Sequence, residues 1–251
     1  VGAALRGVAM DGWSIRFLAQ LPEQSQLLLD CSHDPWLTVL AYLVATAGSL
    51  GTLAIVEHLD QVPQRGMRLA WGLVGALCLA GGIWSMHFIG MLAFRAPLAI
   101  HYDLATTLLS LLVALAAALL ALYCMAQRDA GLGRRALAAA IIGLGIAAMH
   151  YSGMAAMRST AQAYYHGGLF ALSIVIAIGA SLAAQLLAHH RRSSSAPYRH
   201  WLKYSAALVM GAAITAMHFT GMAALHLVVP QGATLEVQGA DNSLQLGLSV
   251  A

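Results

Sequence analysis

The sequence has very little charge: Asp, Glu, Lys and Arg together make up 9% of its 251 residues. Soluble domains carry about a quarter charged residues, so this chain lacks the polar surface that a soluble protein presents to water. Hydrophobic residues reach 60% and the mean hydropathy is +0.73. This balance excludes an ordinary soluble domain and indicates a protein that resides in a lipid bilayer.

Cysteine is also scarce. The chain has three, Cys31, Cys78 and Cys124, and no CxxC pair, so neither a disulfide framework nor a zinc knuckle is indicated. G-x-S-x-G nucleophile elbows, phosphate-binding loops and paired carboxylates are missing from the sequence as well. We therefore expect that this chain is not an enzyme.

Long hydrophobic runs are abundant. A helix needs about 20 mostly apolar residues to cross a bilayer, and six windows meet this requirement: Trp36–Val56, Leu69–Phe94, Leu104–Met125, Arg135–Met157, Gly168–Ala188 and Trp201–Leu225. Residues from about 243 to 251 resemble the beginning of a seventh span. We predict an all-α membrane protein, a bundle of six transmembrane helices plus the start of a seventh.

Arginine and lysine are concentrated in the loops that join spans one to two, three to four and five to six. The positive-inside rule places such loops in the cytoplasm, which puts the N-terminal segment 1–34 and the segment 228–251 on the outer side. Because orienting the helices is a sufficient reason for these cations, nucleic acid is not an expected partner. The expected partner is the lipid bilayer.

A hexapeptide with the pattern M-H-[FY]-x-G-M occurs three times, as MHFIGM at 86–91, MHYSGM at 149–154 and MHFTGM at 217–222. The spacing leaves room for two spans per repeat, so we predict three tandem helical hairpins at about 35–96, 101–160 and 166–227. With two helices per repeat, the helices that carry the motif run in one direction. All three motifs are therefore expected at the same depth, near the outer face.

Side chains at positions i, i+3 and i+4 of a helix share a face, so the histidine, the glycine and the second methionine of each motif line one stripe. Glycine at i+3 lets a neighbouring helix or a ligand approach closely. If the three helices cluster, imidazoles and thioethers meet in one small volume. The predicted metal ligands are His87, His150, His218, Met86, Met149, Met217, Met91, Met154 and Met222.

Mixed imidazole and thioether ligands favour copper over magnesium, calcium or zinc. Haem is the alternative, because its iron accepts His/His or His/Met axial pairs, although three equivalent motifs fit a small ion on a pseudo-threefold axis better. A histidine also precedes each odd-numbered span. Candidate supporting groups around the metal are these three histidines, His33, His101 and His166.

These hexapeptides resemble the MHYT domain, a bacterial integral-membrane sensor domain, and the resemblance extends from about residue 33 to 226. It implies a multi-pass protein of the bacterial cytoplasmic membrane with a periplasmic N-terminus. It also implies copper binding through the Met–His pairs 86–87, 149–150 and 217–218, and sensing of O2, CO or NO. Similar proteins often continue into cytoplasmic domains that make or degrade cyclic di-GMP. The tyrosine of the family stands only at Tyr151, which the resemblance makes a further candidate supporting group of the metal; Phe88 and Phe219 replace it elsewhere.

Residues 35–227 are thus expected to form a sensor domain that signals to a cytoplasmic output domain in cis. Three alternatives stay open at this point: a transporter of copper or another cation, a haem-binding electron carrier, and a structural membrane anchor. A transporter would need further ligands deeper along the bundle. The sequence leaves the oligomeric state open, a homo-oligomer included.

Overall fold

The computed structural model describes residues 15–20, 26–59, 61–126, 131–193 and 199–230. Six long helices dominate this part of the chain: α1 Pro35–Leu59, α2 Arg65–Ala93, α3 Leu104–Ala126, α4 Leu132–Ala155, α5 Gly167–Ser193 and α6 Arg199–Ala224. Each is long and apolar enough to cross a membrane, which confirms the prediction of a six-helix membrane bundle. The predicted start of a seventh helix, at 243–251, lies outside the described residues.

The six helices form a closed ring. Each helix packs against the next one along the chain, and α6 packs back against α1. The contact between α6 and α1 includes an ion pair, with Nζ of Lys203 3.3 Å from Oε2 of Glu57. Inside the ring, α2 also contacts α4 and α6. Across the ring, α3 contacts α5 as well.

Glycine allows some of these helices to pack backbone against backbone. A Cβ atom on Gly48 of α1 would lie 2.8 Å from the Cα of Gly82 of α2, and the reverse holds for Gly82. Such close approach is typical of membrane helices, which associate through van der Waals contact because the lipid offers no hydrophobic driving force between them. The two helices of the first hairpin therefore pack backbone against backbone at these glycines.

Short strands, which the sequence did not predict, lie at one end of the bundle. They are β1 Gln26–Leu28, β2 Ser32–His33, β3 Phe94–Arg95, β4 His101–Tyr102, β5 Met157–Arg158, β6 Gln162–Tyr165 and β7 Leu225–Pro230. The strand before each odd helix pairs antiparallel with the strand after the even helix of the same hairpin, and β1 adds to the free edge of β7. We call this end the strand end and the opposite end the loop end.

The strand pairs show which residues are equivalent among the three repeats. The outer pairs are Ser32–Arg95, His101–Arg158 and Tyr164–His226, and the next pairs inward are His33–Phe94, Tyr102–Met157 and Tyr165–Leu225. The following residues, Asp34, Asp103 and His166, each donate a backbone N–H to an alanine carbonyl at 2.8 to 2.9 Å. The histidines at 33, 101 and 166 each precede an odd-numbered helix, but they occupy three different positions in the strand pairs.

Candidate metal centre

The three motifs form the last turns of α2, α4 and α6 and lie together at the strand end of the bundle. Their histidines, His87, His150 and His218, are each 0% exposed. They converge because the three helices that carry them run in the same direction within the bundle and end at the same level. Among the residues that the structure describes, these three side chains form the one group of His, Cys, Asp or Glu close enough to share a metal ion.

The imidazoles face each other through their Nδ1 atoms. The Nδ1–Nδ1 distance is 3.1 Å between His87 and His218, and 3.2 Å for each of the other two pairs. The ring planes are nearly perpendicular, at 81 to 88° to one another. We call this arrangement the histidine triangle. A point equidistant from three nitrogens at this spacing lies about 1.8 Å from each, close to the roughly 2.0 Å of metal–imidazole bonds.

Hydrogen bonds among the three imidazoles cannot satisfy all three nitrogens. Each Nδ1 carries either a proton or a lone pair, so at least two of the three are in the same state. Two lone pairs or two N–H groups at 3.1 to 3.2 Å do not form a hydrogen bond, and all three side chains are fully buried. A cation accepting all three lone pairs removes the conflict, so the donor set fits a small metal ion.

The opposite nitrogen of each imidazole faces a glycine of another motif. All three Nε2 atoms are buried without a hydrogen-bond partner. They lie against glycine positions where a Cβ atom would overlap them, in the order His87 to Gly153, His150 to Gly221 and His218 to Gly90. The prediction that the motif glycine permits close approach is confirmed, and the approaching group is the imidazole of a neighbouring repeat.

The six predicted methionine ligands are all buried in the same turns of helix. Met86 and Met149 are 0% exposed and none of the six exceeds 3%. They stand one residue before and four residues after each histidine, as the motif dictates. Their placement in a dry region beside the histidine triangle is compatible with thioether ligation, and their role as ligands stays a prediction.

The aromatic residue after each histidine supports the ring of that histidine. Tyr151 lies edge-on to His150 with ring centroids 4.8 Å apart, and the phenylalanines of the other two motifs make the same 4.8 Å contact with their histidines. The hydroxyl of Tyr151 is hydrogen-bonded at 2.7 Å to that of Ser173 on α5. The sequence signal for this role was an aromatic residue in all three motifs; the hydroxyl serves the contact between α4 and α5.

The remaining predicted supporting residues lie at the strand end in three different surroundings. His33 packs against Phe219, with centroids 5.3 Å apart; its Nε2 is buried without a partner, and burial lowers the pKa of this imidazole. His101 is exposed on β4. His166 is also exposed and accepts the N–H of Leu169 at the start of α5. Of these three histidines, His33 alone reaches the aromatic residues around the triangle.

Comparison with known proteins agrees with the threefold organisation. The family model MHYT, described as a bacterial signalling protein N terminal repeat, matches residues 81–139, 143–199 and 211–242. Each of the three matched segments contains one complete hexapeptide motif. No solved structure matches the chain.

Several curated bacterial proteins are similar to this chain over part of their length. Cyclic di-GMP phosphodiesterase NbdA of Pseudomonas aeruginosa is 48% identical, over 95% of this chain and 30% of that protein. Bifunctional diguanylate cyclase/cyclic di-GMP phosphodiesterase MucR of the same species is 40% identical, over 86% of this chain and 31% of that protein. Signaling protein YkoW of Bacillus subtilis is 31% identical, over 67% of this chain and 21% of that protein. The chain spans less than a third of these relatives, and it belongs to the MHYT family of bacterial membrane signalling domains.

Proposed function

We propose that this chain is the sensor domain of a signalling protein of the bacterial cytoplasmic membrane and that it binds one copper ion at the histidine triangle. The observation that carries the proposal is the set of three buried Nδ1 atoms 3.1 to 3.2 Å apart. Three buried nitrogens at this spacing cannot all satisfy one another by hydrogen bonds, and a metal ion is the ligand that uses all three lone pairs at once.

The chemistry of the surrounding residues favours copper among metal ions. Imidazole binds copper, zinc, iron and nickel, whereas thioether sulfur is soft and favours Cu(I). Six buried methionines stand in the same helical turns as the three histidines. Of the described acidic residues near the strand end, Asp30 is exposed, and Asp34 and Asp103 cap α1 and α3. Magnesium and calcium prefer oxygen ligands, so this donor set disfavours both.

The distances within the triangle argue against haem, and the residues below it argue against transport. A porphyrin needs its axial ligands on opposite faces of a flat macrocycle, and three imidazoles this close leave no room for one between them. A transporter needs a continuing path of ligands, but one turn below the triangle the equivalent residues are Ile83, Ile146 and Ile214. These apolar side chains favour a bound, resident ion over a moving one.

The signal that we propose is a diatomic gas (O2, CO or NO) or a change of redox state. A bound copper ion supplies a centre that can bind such a gas or change its oxidation state. The proposed orientation places the strand end at the periplasmic face, as the positive-inside rule predicts. The names of NbdA and MucR describe enzymes of cyclic di-GMP turnover, so we propose an output domain of that kind in the same protein.

The imidazoles themselves connect the site to the bundle. Each Nδ1 is in contact with the other two, and each Nε2 is pressed against the backbone of another motif helix. A change in the preferred spacing of the three nitrogens therefore displaces α2, α4 and α6 relative to one another. A ligand can shift the equilibrium between two arrangements of these helices only if its affinity differs between them. The spacing of the three nitrogens sets the coordination geometry of the ion, so two arrangements with different spacings differ in this affinity.

The test is the copper content of the protein purified in detergent from cells grown with copper. We expect about one copper ion per chain in the wild type and none in the triple variant His87→Ala, His150→Ala, His218→Ala. The matched control, His101→Ala with His166→Ala, removes two exposed histidines of the strand end and should retain the ion. Equal copper in the wild type and the triple variant, or none in either, overturns the proposal.

A further inference from the structure

A cavity lies directly below the histidine triangle, on the side of the loop end. Its volume is about 50 Å3. The residues four and eight positions before each motif histidine line it: Ile83, Ile146, Ile214, Leu79, Ile142 and Met210. Because i−4 and i−8 lie on nearly the same helix face as i, these two layers of side chains surround the axis on which the triangle is centred. We call this space the axial cavity.

The lining of the axial cavity offers water few partners. Ser181 and Gln185 are the polar residues that line it. The hydroxyl of Ser181 donates to the carbonyl of Ala177 at 2.8 Å, and the amide of Gln185 donates to the carbonyl of Arg135 at 3.4 Å. Within the described parts of the chain, none of the buried polar atoms that lack a partner lines this space. A buried water molecule needs about three hydrogen bonds, so the cavity is suited to an apolar occupant.

The size of the cavity limits the occupant. About 10 to 15 Å3 of such volume holds one water molecule, so 50 Å3 holds a molecule of a few heavy atoms. Apolar cavities of this kind stay dry and bind small apolar guests such as xenon. The layer formed by Ile83, Ile146 and Ile214 stands one helical turn from the histidines, about 6 Å along the axis.

We propose that the axial cavity binds a small neutral molecule of diatomic size, such as O2, CO or NO, and holds it one helical turn from the histidine triangle. This inference rests on the proposed function for its biological meaning. It adds a place, the axial cavity, that the gas occupies before the gas reaches the histidine triangle. The route from the cavity to the triangle then passes between the three isoleucines, whose side-chain rotation controls access.

Xenon is the probe for this site, since it needs neither copper nor a signal to bind. We expect xenon NMR of the copper-free protein in nanodiscs to show one saturable site in the wild type. Ala184→Leu, which adds three carbons at a residue that lines the cavity, should abolish it. The matched control is Ala183→Leu, which adds the same atoms one residue away, at an exposed position of α5, and should leave xenon binding unchanged.

A second variant that reduces the cavity volume keeps the test valid if Ala184→Leu does not fold. Ala121→Val narrows the cavity from α3, and thermal melts of both filled variants establish that they fold. Absence of saturable xenon binding in the wild type, or unchanged binding in both folded variants, overturns the inference. Copper content separates this outcome from failure of the proposed function: the filled variants should keep their copper, and the triple histidine variant should keep its xenon site.

Discussion

Gly153→Ala tests most directly whether the geometry of the histidine triangle controls the metal site. The new methyl group would overlap Nε2 of His87, so the imidazole must retreat by at least about 1.3 Å to reach ordinary van der Waals distance. The ring cannot retreat freely along its length, because its Nδ1 atom already lies 3.1 and 3.2 Å from those of His218 and His150. The substitution therefore compresses the triangle or tilts one ring out of it.

Two magnitudes follow from this displacement. Adding a methyl group to a close-packed core costs about 1 to 3 kcal/mol of stability. Disturbing the groups that orient metal ligands typically lowers metal affinity 10- to 100-fold, and we expect Gly153→Ala to lower copper affinity within that range. The control is Gly179→Ala on α5, where the new methyl group meets nothing within 4 Å and only the modest gain in helix propensity applies.

Competition with a chromophoric Cu(I) chelator measures the affinity, and thermal unfolding in detergent measures the stability. A double-mutant cycle with His87→Ala isolates the clash, since in that background the methyl group of Gly153→Ala meets no imidazole and should cost close to nothing. Copper affinity in Gly153→Ala within twofold of Gly179→Ala would refute the reasoning. So would an equal loss of stability in the presence and absence of His87.

Three further predictions concern the surroundings of the site. Tyr151→Phe removes the bond to Ser173, so it should lower stability by about 0.5 to 1.5 kcal/mol and leave copper content unchanged; lost copper would give the hydroxyl a role at the metal. The backbone N–H of Leu37 and the guanidinium of Arg95 hold the pKa of Asp34 below its ordinary value. The ionised carboxylate therefore stabilises the fold at neutral pH. This stabilisation is lost as the pH falls through the lowered pKa. Asp34→Asn should therefore weaken the acid dependence of the melting temperature, and an unchanged dependence would contradict this assignment. Removing copper with a chelator should lower the stability of wild type by about 2.7 kcal/mol relative to copper at 100 times its dissociation constant, with no shift in the triple histidine variant.

The number and type of the helices could be read from the sequence because the membrane imposes a strong requirement on length and composition. The limits were close as well: α3 was expected at 104–125 and is found at Leu104–Ala126. The strand pairs could not be read in this way, because β2 to β5 have two residues each and two residues carry no alternation. Their pairing depends on helix ends that meet only after the hairpins have folded.

The histidines of the candidate site could be identified because three copies of one motif at one depth are a stronger signal than any single histidine. The glycine that each imidazole contacts could not be identified in this way. The sequence shows that each motif contains a glycine suited to close approach, but not which imidazole approaches it. That choice depends on the order in which the helices surround the axis. The sequence names His33 as a candidate supporting group but does not show its neighbour, since Phe219 is far away in the sequence.

The cyclic order of the histidine–glycine contacts explains why the site needs three repeats in one chain. The imidazole of α2 rests on the glycine of α4, that of α4 on the glycine of α6, and that of α6 on the glycine of α2. Each motif helix therefore both positions one ligand and holds another. Because the contacts close on themselves, moving one of these helices alone would open one contact and tighten another, both at van der Waals distance. A displacement of the triangle must then involve all three helices together, which is the property that a single bound ion needs in order to act on the whole bundle.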